Sequence, residues 1–140
     1  MFITSFIIQY YIMSYIMTNN TKYFTNSYGK IYVSIIMGLF MIMAEIYMHD
    51  STYNIFSFKL YFLSIIITIF FIYLYRKQVF IYDKQYLEGM IEHHSMALLT
   101  SNKILEKTNS YDVAKLAKNI IQSQTDEIET MKNILKKIKG

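Results

Sequence analysis

Residues 86–99 read YLEGMIEHHSMALL, and they hold His93 and His94, two of the three histidines in the chain. Imidazole binds several transition metals, and thioethers select soft ions such as Cu(I). Met90 and Met96 stand beside the histidine pair, and Glu127 and Met131 follow in a second polar-interrupted apolar pattern. One chemistry for this set is metal binding, with His93 and His94 as first ligands and Met90, Met96, Glu127 and Met131 as further ligands. Adjacent histidines diverge on a helix, so a single helix does not readily chelate with both, and a second hairpin could supply the other face. The alternative needs no ion. His94, Gln124 and Glu127 would form a buried hydrogen-bonded network that fixes the register of paired helices, since buried polar groups need partners.

Enzyme chemistry has little support. There is no His-Glu-x-x-His motif, and the di-iron pattern needs Glu-x-x-His pairs. Here Glu88 is followed three residues later by Ile91, and Glu92 by Ser95. The absence of cysteine excludes disulfides and thiolate sites. The net charge is only +4, and no basic block is interleaved with aromatics, which speaks against nucleic-acid binding.

These residues must be positioned by helices. The first helix of a hairpin carries an apolar stripe Leu87, Met90/Ile91, His94, Ala97/Leu98, Ser101, Ile104/Leu105. The second carries Val113, Leu116/Ala117, Ile120, Gln124, Glu127/Ile128, Met131, Ile134/Leu135, Ile138. Steps of three and four mark amphipathic helices. Asp83 is placed as the cap of the first helix, which runs to about Lys107. Asn109 or Ser110 caps the second. The short TNSYD break makes the pair antiparallel. A turn centred near Asn109 sets His94 level with Gln124, and Ile91 level with Glu127.

The first half of the chain is different. Residues 1–75 hold five charged side chains, Lys22, Lys30, Glu45, Asp50 and Lys59, and residues 76–140 hold the other nineteen. Such a break marks a membrane part joined to a soluble part. Three apolar stretches, about 2–17, 31–48 and 55–75, are read as transmembrane helices, with tyrosines at their ends as interfacial anchors. The first lacks the basic start and small-residue cleavage site of a signal peptide. The expected architecture is therefore all-α: a membrane region over 1–77 and a soluble hairpin over 82–138. Lys22 and Lys30 in the first loop and Arg76-Lys77 after the third span place the C-terminal hairpin on the cytoplasmic side of a multi-pass protein. Met37, Met41, Glu45 and Met48 share one face of the second span. Glu45, an ionisable residue within it, is a functional candidate by default.

The residues from Tyr86 to Leu105 and from Val113 to Leu135 resemble the domain-of-unknown-function family 305, a ferritin-like helical family. Its pattern Met-Ile-x-His-His-x-x-Ala falls on Met90, Ile91, His93, His94 and Ala97. Its second motif falls on Leu116, Ala117, Ile120, Ile121, Gln124, Glu127, Ile128 and Met131. The whole chain resembles a membrane-bound branch of that family. The resemblance implies half of a ferritin-like four-helix bundle, and copper or a similar ion as a cofactor, since some relatives bind copper or silver in metal resistance. Larger members carry two hairpins and this chain has one. The expected partners are the lipid bilayer and a second copy completing the bundle, with Gln124 supporting the metal ligands.

Overall fold

A computed structural model describes residues 1–139. Every regular element among them is helical: α1 (Phe2–Ile7), a π-helical stretch (Ile8–Met13), α2 (Ser14–Met17), a 3₁₀ turn (Thr21–Tyr23), α3 (Tyr28–Tyr53), α4 (Phe58–Arg76), α5 (Asp83–Leu105) and α6 (Tyr111–Lys139). They divide into two compact units. One holds residues 1–13 and 28–81, the other residues 14–27 and everything from residue 82 onward.

In the first unit α3 packs against both α1 and α4. Two helices, not three, are long and apolar enough to cross a membrane: α3 with 26 residues and α4 with 19. At about 1.5 Å per residue these reach roughly 39 and 28 Å, against a hydrocarbon core of about 30 Å. The core helix of a soluble protein would be mostly buried. Here only 17% and 11% of the apolar stretches lie buried, and α4 presents Phe62, Leu63, Ile66, Ile69 and Phe70 outward. The expected first span is corrected. Phe2–Met17 is a shorter apolar helix. Its sixteen residues would reach only about 24 Å even as continuous α-helix, and π-helical turns interrupt it. Those turns carry the buried Tyr10, which stacks on Phe6 at 5.7 Å and lies under the Lys30 ammonium at 4.7 Å.

Two polar contacts shape this unit. Buried Asp50 accepts from the Ser57 N–H (2.6 Å) and hydroxyl (2.8 Å), closing the turn from α3 to α4. Asn54 supplies the positive φ of 51° that the turn needs, a conformation asparagine tolerates better than most residues. The Tyr32 hydroxyl donates to the Val79 carbonyl at 2.8 Å, tying the segment after α4 back to α3.

In the second unit α5 and α6 form the expected antiparallel hairpin around Leu87, Ile91, Leu98, Ile128 and Leu135. Ser110 caps α6, its hydroxyl lying 3.4 Å from the Val113 N–H. Asp83 does not cap α5. It is the first helical residue, and Tyr82 occupies the cap without a side-chain bond. A carboxylate in the first turn still complements the helix dipole there. Residues 14–27 join the hairpin because α5 offers them acceptors: the Asn19 N–H donates to Ser95 Oγ at 2.9 Å, and Thr25 donates to Glu92.

Candidate functional site

α5 buries two faces. One is the apolar stripe foreseen from the spacing. On the other lie Glu92 (5% exposed) and Ser95 (fully buried). Glu92 Oε2 accepts from the Thr25 N–H and hydroxyl, each at 3.1 Å, and the same hydroxyl lies 2.7 Å from the Glu88 carbonyl. Tyr23 packs against the hairpin core, with the Lys132 ammonium 4.3 Å above its ring. Apolar periodicity cannot reveal this face, because the partner is backbone and hydroxyl rather than hydrocarbon. The usable signal was TNNTKYFTNS, residues 18–27, a run of polar residues whose exposed amides need acceptors.

His94 sits on the edge of the apolar stripe, 9% exposed. Its Nδ1 lies 3.1 Å from Glu127 Oε2 on α6. The nitrogen is buried and lies outside hydrogen-bonding geometry with every neighbour, Glu127 included. Glu127 is 54% exposed. The pairing is shifted from the expected register: His94 meets Glu127 and not Gln124, which is half-buried. The reason is side-chain direction. Every Cα–Cβ bond tilts toward its helix N-terminus. The His94 ring therefore leans away from the turn and the Glu127 chain leans toward it, so partners lie farther along α6 than their Cα levels suggest.

The other expected ligands have different surroundings. His93 is exposed, its ring centroid 6.2 Å from that of His94 and its plane inclined by 69°. Met131 packs against the hairpin core, and Met90 and Met96 are half-buried along α5. Among the described residues no group of three or more His, Asp and Glu side chains converges. In the first unit Glu45 is exposed, as are Met37 and Met48, with Met41 half-buried, so that stripe faces outward from α3.

One hairpin brings one imidazole nitrogen and one carboxylate oxygen close together. A zinc-class ion takes nitrogen and oxygen ligands at about 2.0–2.2 Å, and two such ligands at right or tetrahedral angles lie about 3.0–3.4 Å apart. The nitrogen-to-oxygen spacing of His94 and Glu127 falls in that range, and the nitrogen lacks any other partner. The spacing of these two side chains matches that of two ligands on such an ion.

Comparison with known proteins agrees with the hairpin's pattern. No solved structure matches the chain. A protein of Acanthamoeba polyphaga mimivirus described as "Uncharacterized protein L153" is 48% identical over 73 residues, which is 52% of this chain and 48% of that protein. The chain thus matches over about half the length of this curated relative. The family model for "Domain of unknown function (DUF305)" matches residues 74–137, a range that takes in α5, nearly all of α6, and both His94 and Glu127. Over those residues the chain is similar to the DUF305 family.

Proposed function

We propose that this chain is a membrane-anchored, non-catalytic metal-binding protein of metal homeostasis or resistance. The supporting observation is the buried His94 Nδ1, held 3.1 Å from Glu127 Oε2 without hydrogen-bonding geometry. A buried polar nitrogen without a well-formed hydrogen bond is costly. An ion shared with the facing carboxylate removes that cost. Imidazole and carboxylate together suit copper(II), nickel(II) or zinc(II). The outward apolar surfaces of α3 and α4 supply the anchor in the bilayer. α1 and the turns after it then act as an accessory apolar segment rather than a third span.

The test is metal content of the detergent-purified chain after exposure to copper, silver and zinc in turn. His94→Ala and Glu127→Ala should each lose the ion, while His93→Ala should keep it. A wild-type protein that retains no metal contradicts the proposal.

A second reading is favoured by the position of the same pair at the α5–α6 seam. With His94 protonated, the two side chains make an ion pair that sets helix register without an ion. In that case His94→Ala weakens folding or self-association and metal has no effect on either.

A further inference from the structure

One hairpin brings two donors together, fewer than the three or four protein ligands a zinc- or copper-class ion takes. α6 indicates where the others come from. Its stripe Ala117, Ile128 and Leu135 is buried. Beside it runs a second apolar stripe left uncovered: Leu116 is 60% exposed, Ile134 41% and Ile138 48%, with half-buried Ile120 in line. Glu127 stands at the centre of this second stripe. Leu116 and Ile138 lie eleven residues before and after it, and Ile120 and Ile134 seven.

A stripe that reads alike in both directions is self-complementary under a two-fold axis, because an isologous interface uses the same patch twice. Antiparallel pairing of two α6 helices about Glu127 sets Leu116 against Ile138 of a second copy, and Ile120 against Ile134. The same operation brings two Glu127 carboxylates together at the axis, each flanked by its own His94. Facing carboxylates repel. Four apolar side chains per copy make a small seam to set against the freedom lost on association. A cation at the axis removes the repulsion and gives each buried His94 nitrogen a ligand role.

We infer that the face of α6 around Glu127 is covered by a second copy of this chain, and that the two copies share one divalent cation of the copper(II), nickel(II) or zinc(II) class. Its donors are His94 and Glu127 of each copy. This rests on the proposed metal-binding role of those two residues, and adds that the site is complete only in the dimer.

The experiment uses the full chain in detergent, stripped with a chelator and then given zinc alone, with molar mass by light scattering and bound zinc measured on the same sample. The expected result is a monomer without zinc and a dimer with it, at one ion per two chains. Leu116→Asp and Ile134→Asp, both on exposed positions away from the donors, should keep their helical circular dichroism, stay monomeric and lose the shared ion. Zinc bound to each chain without a change in mass overturns the dimeric site and leaves metal binding standing. A dimer that forms equally without zinc overturns the bridging cation. No zinc on the wild-type protein overturns both.

Discussion

Glu92 on α5 and Thr25 in the connector before α3 are joined by two hydrogen bonds to one carboxylate oxygen, at 3.1 Å each, with Glu92 only 5% exposed. This pair fastens a polar segment to the hairpin. It also explains why residues 14–27 belong with helices more than sixty positions later in the chain.

Glu92→Ala should destabilise the second unit by about 1–3 kcal/mol, the usual cost of leaving buried donors without a charged acceptor. Hydrogen exchange at the Thr25 amide checks this directly. Exchange should quicken there and at Asn19, while amides at the centre of α6 stay protected.

Asp50 plays a comparable part between α3 and α4. It accepts from both the N–H and the hydroxyl of Ser57. Asp50→Ala should lower thermal stability in detergent by about 1–3 kcal/mol. Ser57→Ala should cost less, because the backbone bond survives.

Gly38 leaves room for the Phe2 ring in the first unit. A Cβ placed there would lie 2.5 and 2.6 Å from two ring carbons of Phe2. Gly38→Ala should therefore cost about 1–3 kcal/mol through overpacking. Phe2→Ala removes the obstacle, so the double variant should be more stable than the sum of the two single effects implies. Thermal unfolding of the four proteins gives the coupling.

Ile91 is 3% exposed at the centre of the hairpin core. Ile91→Ala should cost about 2–5 kcal/mol. Leu116→Ala, on the uncovered stripe of the same hairpin, should be nearly neutral for the fold of a single chain. A denaturation series on both variants separates core from interface.

Much of this architecture was legible in the sequence. The apolar steps of three and four located both hairpin helices, and the charge gap before residue 76 isolated the apolar region. His94 and Glu127 stood out as polar residues on apolar lines, and the structure brings them together. Three features were not legible. Side-chain tilt moved the contact from Gln124 to Glu127. The buried Glu92 face has no apolar signature, because hydrogen-bond donors cover it. The first apolar stretch looked like a span by composition, but its length and π-helical turns make it a shorter element. The divergence of His93 from His94, about 100° of helix turn, was legible in the sequence, and His93 is exposed.

The most direct test of the central claim is X-ray absorption at the metal edge of the copper(II)- or zinc(II)-loaded full chain. The account expects a first shell of nitrogen and oxygen near about 2.0–2.2 Å, with an imidazole scattering signature that disappears in His94→Ala. A sulfur shell from the methionines, or an imidazole signature that survives loss of His94 and vanishes with His93, would contradict it.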